Sequence, residues 1–361
     1  MSASPKNEVS RGQPELSICV PTYNRAACLE KLFGCLAQIK VAHGNDVEIC
    51  ISNNHSLDDT AAVIERWRAR LELATVTQPT NIGATRNVAE VARLASGRWI
   101  MFLGDDDALN ASSFAELLRV LRTAPDDEWI LAGVGDGDGG ETLLGDLREG
   151  RHTAEAFRWQ VARRGLFPFG FIGMHVFSAA LRPVLLGLSL EETQPWPHVA
   201  LFLRHLARGA FRVFRRPVVH QAGAGRELFW RQGDWVKISL AKLNLIAGAR
   251  RDEPGLEFYY DVLAARELYS ARSLGDLARW RFFEPAEFRG DALGAHWARY
   301  RLLGASSVLA IPHGALLIAL YATPTGSLRL AERLTGRGDS SARYVARRAR
   351  LGQFDGVKRG L

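Results

Sequence analysis

Leu103-Gly104-Asp105-Asp106-Asp107-Ala108 sets three consecutive carboxylates directly after the apolar run Trp99 to Leu103. A short, continuously hydrophobic run of that kind reads as a buried strand. Three adjacent acids cannot all be buried as ions, because each uncompensated charge costs several kcal/mol. They face water, pair with cations or hold a metal. Hard divalent ions such as Mg²⁺ and Mn²⁺ take oxygen ligands and share one or two carboxylates with substrate phosphates. Open α/β sheets bind ligands just outside the carboxyl ends of their strands. The triplet thus reads either as a metal–diphosphate site or as a solvated acidic turn before a helix capped by Asn110, Ser112 or Ser113.

Three other apolar runs end in residues suited to a nucleotide. Leu16–Val20 leads into Pro21-Thr22-Tyr23-Asn24-Arg25, where Pro21 stops the strand ladder and Tyr23 and Asn24 can stack on and hydrogen-bond a base. Val47–Ile51 leads into Ser52-Asn53-Asn54-His55-Ser56-Leu57-Asp58-Asp59-Thr60. The third edge, Asn81-Ile82-Gly83-Ala84-Thr85-Arg86-Asn87, offers close backbone approach at Gly83 and a cation, Arg86, beside a helix start, as phosphate binding requires. Turns are rich in these residue types for conformational reasons alone.

The elements that position these edges alternate. Helical apolar spacing marks 26–39, 60–71, 85–94 and 112–121, and strand-like runs mark 16–20, 47–51, 73–77, 99–103 and 129–134. This βαβα rhythm predicts a mostly parallel sheet covered on both faces. Residues 135–150 read as a glycine- and acid-rich loop. An aromatic stretch at 167–177, a helix at 197–207, a last strand at 213–221 and a helical remainder from Asp234 follow.

Taken together, the four edges resemble the nucleotide-sugar-binding half of family 2 glycosyltransferases with the GT-A fold. That family typically shows a PTYNR turn, an S-D-N-x-S-x-D-x-T turn, an N-x-G-x-x-x-x-N segment and a D-D-D or D-x-D metal motif. The resemblance covers residues 15–135 closely and 165–225 loosely, and not the C-terminal third. It implies an α/β fold, Rossmann-like, with helices on both faces of the sheet and a mainly helical C-terminal region.

Carried over by position, the resemblance sets Pro21, Tyr23 and Asn24 around the base, with Arg25 and Asp106 among the nucleotide-sugar contacts. Asn81, Gly83 and Arg86 would line the diphosphate, Asp105 the ribose or metal, and Asp107 would be the main metal ligand, for Mg²⁺ or Mn²⁺. Asn53 stands where the family usually has an aspartate that bonds the base, and an amide both donates and accepts; the nucleotide stays open among UDP, GDP, CDP and dTDP. The general-base motif E-D-x-x-L-x-x-R matches Pro197 to Arg204, with His198 where the Asp would be. His198 is either that base or a helix cap, with Glu191, Glu192 and Asp138 as substitute bases. His220 is either a third metal ligand or a structural strand-end residue. Trp196, Phe229, Trp230 and Trp235 either wall an acceptor-sugar pocket or pack a helical core.

The expected activity is metal-assisted direct displacement, moving a sugar from a nucleotide-diphosphate donor to a hydroxyl of a saccharide or lipid-linked saccharide. Two other readings are an inactive nucleotide-sugar-binding partner subunit and a sugar nucleotidyltransferase. Pro21–Arg25 lacks the glycine-rich, lysine-bearing loop that the latter needs.

Composition bounds the rest. The chain has 361 residues, 47% hydrophobic and 24% charged, as in ordinary globular proteins, with a net charge of +7. Residues 331–361 carry eight Arg/Lys against three acids, which suits an anionic membrane surface, a nucleic acid or a merely solvated tail. An acidic triplet at the presumed site, with net basic charge concentrated in one tail, argues against a nucleic-acid partner. The 20 residues from Leu302 to Tyr321 are apolar but interrupted by Pro312, His313 and Gly314, which suits a helix pair packed on the body or lying in a membrane interface better than a span. Cys19, Cys28, Cys35 and Cys50 form no CxxC pair and read as reduced thiols. The expectation is a cytoplasmic protein, peripheral at the inner membrane face, with a disordered 1–14, a catalytic domain over 15–230 and a helical domain over 231–361.

Overall fold

A computed structural model of the chain describes residues 12–135, 143–145, 147–189, 193–221 and 234–269. The first half is the alternation expected: β1 (Leu16–Thr22), α1 (Ala26–His43), β2 (Val47–Asn53), α2 (Thr60–Leu71), β3 (Ala74–Thr77), α3 (Ala84–Leu94) and β4 (Trp99–Phe102). Next come β5 (Asp107–Leu109), α4 (Ala111–Thr123), β6 (Glu128–Gly135), β7 (Gly150–His152) and α5 (Ala154–Arg164). Two short 3₁₀ turns over 167–174 precede β8 (His175–Ser178), α6 (Arg182–Gly187), α7 (Pro197–His205), β9 (Ala210–Gln221), α8 (Asp234–Asp252) and α9 (Glu257–Tyr269).

The helices form where apolar residues recur at helical spacing. On α1, Leu29, Leu32, Phe33, Leu36 and Ile39 are all buried, each contributing about 1.5–3 kcal/mol by leaving water. Helix α4 starts where Asn110 caps it, its Oδ1 accepting from Ser113 N at 3.0 Å. Of the four free cysteines, Cys19 and Cys50 are buried and Cys28 and Cys35 half-buried.

The strands make one sheet in the order β3-β2-β1-β4-β8-β6-β9-β5, with β7 also on β9, and helices cover both of its faces. Strands β3, β2, β1 and β4 are parallel, as expected. The other half is mixed rather than parallel: β8 inserts antiparallel between β4 and β6, and β5 and β7 pair antiparallel with β9. Ring stacking fills the core beneath this half, with Trp129 on Phe177, Phe157 on Phe211 and Phe169 on Phe202. Gly133 lies against a bulge of β9, where a Cβ would come within 2.3 Å of the Arg215 and Arg216 carbonyls.

The chain divides into two units, and the first runs past the expected boundary near 230 to include residues 237–267. The reason is physical. Tyr260 donates to Leu203 O at 2.9 Å, Arg204 pairs with Asp252, and Arg208 pairs with Glu253. Glu267 accepts from Leu166 N and pairs with the buried Lys242. The second unit, 232–236 and 268–361, lies almost wholly outside the described residues, as do the basic tail, the apolar segment at 302–321 and most of the expected disordered N-terminus. Among the described residues no helix is long and apolar enough to cross a membrane.

Candidate active site

Strand order reverses at β1, which has β2 on one side and β4 on the other. Ligands of open α/β sheets bind at such a switch point, beyond the carboxyl ends. The β1–β2 ladder continues through Thr22 opposite Asn53, so Pro21 does not end it. On the β4 side the last bond is Leu103 N to Cys19 O. Pro21 has no N–H to extend that side, and the sheet opens there. Across the opening Thr22 Oγ1 donates to Asp105 Oδ2 at 2.7 Å.

Of the three fates open to the acidic triplet, facing water holds for Asp106 and not for its two neighbours. Asp105 and Asp107 are only 9% and 8% exposed, while Asp106 is half-exposed and sits 3.6 Å from the Arg25 guanidinium. Burial pushes Asp105 up to about 6, against the Thr22 hydrogen bond and the Arg25 charge that draw it down. Burial also pushes Asp107 up to about 7, helped by the charge of Asp106. Gly104 makes this possible, since a Cβ there would meet Asp107 Oδ2 at 2.6 Å. Asp105 and Asp107 are desolvated carboxylates with few internal donors, and the Arg25 charge offsets the burial of Asp105 only in part. Their hard oxygens would suit a Mg²⁺ or Mn²⁺ ion that took its remaining ligands from elsewhere.

The expected third ligand does not join them. His220 pairs with Ala108 across β5–β9, and Asp107 pairs with Gln221. Cross-strand partners share a face and neighbours alternate, so His220 and Asp107 belong to opposite faces of that ribbon. The His220 ring lies 3.4 Å from Asn110 Nδ2, with Nδ1 buried and unpartnered. Among the described residues no group of three or more His, Cys, Asp or Glu is placed to hold a metal by itself.

Several residues assigned to nucleotide contact build the scaffold of the edge. Asn24, in the left-handed region at φ 52°, donates its N–H to Ser56 Oγ and accepts from Leu57 N. Asp58 accepts from Ala26 N, and Thr60 Oγ1 from Arg25 N. Burial works upward on the Asp58 carboxyl, but the bonds from Thr60 and Ala26 outweigh it and hold the group low. Asn53 Oδ1 accepts from Ser56 N, leaving Nδ2 buried without a partner. Asn81 Oδ1 takes Gly83 N and Asn54 Nδ2, both at 2.9 Å. Gly83 (φ 83°) caps α3, and Arg86 is exposed in that helix's first turn, as a diphosphate contact needs. Tyr23 is half-buried beside them. Asn87, whose role the sequence left unassigned, is buried and bonds Ser52 Oγ, Ser52 O and Thr22 O, tying α3 to both central strands.

Replacing Thr22 by Val removes the only side-chain donor on Asp105 among these bonds. The expected result is a loss of about 1–3 kcal/mol in denaturant unfolding at pH 8, shrinking as Asp105 protonates below pH 6. A variant as stable as the parent at pH 8 would contradict this.

The second half corrects the base assignment. His198 is 1% exposed at the start of α7, with Nε2 on Gly170 O at 3.2 Å and its ring 5.0 Å from that of His175. Burial, then the His175 charge, holds it well below the usual histidine range; His175 is likewise depressed by burial, to about 4. A ring sealed in the core cannot take a proton from an acceptor hydroxyl. The two imidazoles instead hold the consecutive carbonyls of Phe169 and Gly170. Trp196, half-buried, lies over Gly170, where a Cβ would be 3.2 Å from its ring. Trp230, Phe229, Asp138, Glu191 and Glu192 lie outside the described residues, and of Trp235 only the helical backbone is described.

Residues 17–182 match the model of the family described as glycosyl transferase family 2. The abequosyltransferase RfbV of Salmonella typhimurium is 35% identical over 113 residues, 31% of this chain and 34% of that protein. The GalNAc(5)-diNAcBac-PP-undecaprenol beta-1,3-glucosyltransferase of Campylobacter jejuni is 32% identical over 109 residues, 29% of this chain and 34% of that one. The match thus spans about a third of the length of these relatives. In fold, the chain is similar to Staphylococcus aureus TarS 1-349 in complex with UDP, with a TM-score of 0.61 at 16% identity over 88% of this chain and 92% of that one.

Proposed function

Residues 17–182 form a family 2 glycosyl transferase domain, and from that premise we propose that the protein moves a sugar from a nucleoside-diphosphate donor to a hydroxyl acceptor with a divalent cation on its acidic turn. The observation that carries the reading is the pair Asp105 and Asp107, desolvated at the carboxyl edge of the switch point with pKa values raised by burial. A Mg²⁺ or Mn²⁺ ion held there would neutralise charge developing on the leaving diphosphate. The chain's own residues do the rest. Tyr23 faces the base, Thr22 orients Asp105, and Arg86 with the first turn of α3 holds phosphate oxygens.

With His198 withdrawn, the proton acceptor falls to Asp138, Glu191 or Glu192. The acceptor is a saccharide or lipid-linked saccharide at the inner membrane face. Support comes from the Campylobacter relative, named for a saccharide on PP-undecaprenol, and from the basic tail of this chain.

The test is thermal stabilisation by UDP-, GDP-, CDP- and dTDP-sugars, each with and without Mn²⁺. A shift of several degrees for one nucleotide, larger with Mn²⁺, is expected. No shift with any of them, in either condition, would sink the donor reading.

A further inference from the structure

Asn87 is 2% exposed and closes the first turn of α3, its N–H donating to Gly83 O at 3.0 Å. Its amide has one possible orientation. The Ser52 and Thr22 carbonyls can only accept, so Nδ2 faces them at 3.1 and 3.4 Å, and Oδ1 takes the Ser52 hydroxyl at 2.6 Å. Gln78 Nε2 completes the set by donating to Ser52 Oγ at 3.2 Å. A buried network satisfied in this way rigidifies the groups it joins. Thr22 O, which also accepts from Asn54 N, belongs to the residue whose hydroxyl donates to Asp105 Oδ2. A line of contacts thus runs from Gly83 and the first turn of α3, through Asn87 and Thr22, to the Asp105 carboxylate.

Resting on the donor reading above, we propose that Asn87 is the positioning residue that sets the first turn of α3 against Asp105, so that a divalent cation and a diphosphate bind cooperatively. Asn87 is itself sealed from both ligands. A cation on the acidic turn and a diphosphate on α3 can share oxygens only at one spacing of the two. An amide that spans the helix and both central strands holds that spacing before either ligand arrives, and neither ligand then has to supply the ordering. Loosening Asn87 should therefore weaken the assistance each ligand gives the other, which is reciprocal by linkage, more than it weakens either binding alone.

The test compares the parent with Asn87→Ala and Ser52→Ala, the latter keeping both Nδ2 bonds to backbone carbonyls. Binding of Mn²⁺ alone is followed by the electron paramagnetic resonance signal of free Mn²⁺. Binding of inorganic pyrophosphate is followed by calorimetry in EDTA and again with Mn²⁺. Asn87→Ala is expected to bind each probe alone within about threefold of the parent, while the tightening of pyrophosphate by Mn²⁺ falls about fivefold or more. Ser52→Ala should melt at a lower temperature than the parent yet keep that tightening within about twofold. Should Asn87→Ala not fold, Asn87→Ser carries the same comparison, alone and with Thr22→Val. Thr22→Val breaks the last link to Asp105, so Asn87→Ser should add little to the loss in that background. Unchanged tightening in the Asn87 variants removes the positioning role and leaves the transferase reading standing. An equal loss in Ser52→Ala, or full additivity with Thr22→Val, also overturns the proposal, because each points to general loosening of the fold. If Mn²⁺ and pyrophosphate do not bind the parent, or bind without assisting each other, both readings fall.

Discussion

Asp107→Asn is expected to abolish sugar transfer and yet make the metal-free protein more stable than the parent at pH 8. The loss of activity follows if Asp107 is the main ligand of the proposed metal. Lewis-acid stabilisation of a leaving group amounts to several kcal/mol, which at 1.36 kcal/mol per decade is about a thousandfold in rate. The gain in stability follows from the sign of the shift. Burial pushes the Asp107 carboxyl up to about 7 in the folded chain, against about 3.9 when unfolded. The folded state therefore holds its proton longer than the unfolded state does. The stability linked to that proton is full below about pH 4 and is lost progressively as pH rises to about 7. A neutral amide of the same shape escapes the loss, so the variant should gain on the order of 2–4 kcal/mol at pH 8, fading to nothing near pH 4. Mn²⁺ should stabilise the parent at pH 8 and leave the variant unmoved. Turnover within tenfold of the parent would remove Asp107 from the metal role; equal Tm values at pH 8 in EDTA would remove the buried-charge argument.

The same turn shows how much a linear chain discloses. The strand Trp99–Phe102, the cap Asn110 and the acids between them were legible because each has a local cause: an apolar run, a side chain that accepts from an N–H three residues on, a β-edge. Of the solvated-turn reading, the Asn110 cap on α4 is present, while Asp105 and Asp107 withdraw from water. Their burial was not legible. It depends on Gly104 letting Asp107 fold back and on Thr22, 83 residues away, meeting Asp105. Strands β5, β7 and β8 escaped for a similar reason, being three or four residues long with partners fixed by distant pairing. An alternation cannot declare itself over three residues. The His198 assignment failed on burial, because register along a helix says which residues align but not which face a neighbouring aromatic core will seal. Asn24, Asn81, Asp58 and Thr60 have the polarity of ligand contacts, and most of that polarity is spent binding one edge to the next. A well-made edge and a ligand site draw on the same residue types.

The extension of the first unit past residue 230 leads to the second large effect. Glu267 is buried at 7% exposure and pairs with Lys242 at 5%, while its Oε1 accepts from Leu166 N at 2.6 Å. Removing one partner of a buried pair strands the other charge, so Glu267→Ala should cost about 3–5 kcal/mol and leave Leu166 N without its acceptor. Glu267→Gln keeps that acceptor and should cost less. The double change Lys242→Met with Glu267→Leu restores an apolar contact and should recover most of the stability, because well-packed hydrophobic replacements of buried ion pairs are commonly neutral or better. Denaturant midpoints for these proteins and for the single changes Lys242→Met and Glu267→Leu decide the matter, and non-additivity of those two singles is itself expected for groups in contact. The anchored turn leads from Gly165, at φ 78°, into the 167–170 segment whose carbonyls His175 and His198 hold and on which Trp196 lies. If Trp196 walls the acceptor pocket rather than packing a core, loosening the anchor should raise the acceptor KM before it lowers kcat. A Glu267→Ala protein with an unchanged midpoint would mean that α8 and α9 merely rest on the domain. A lowered midpoint with an unchanged acceptor KM would keep the anchor structural and separate it from the acceptor wall.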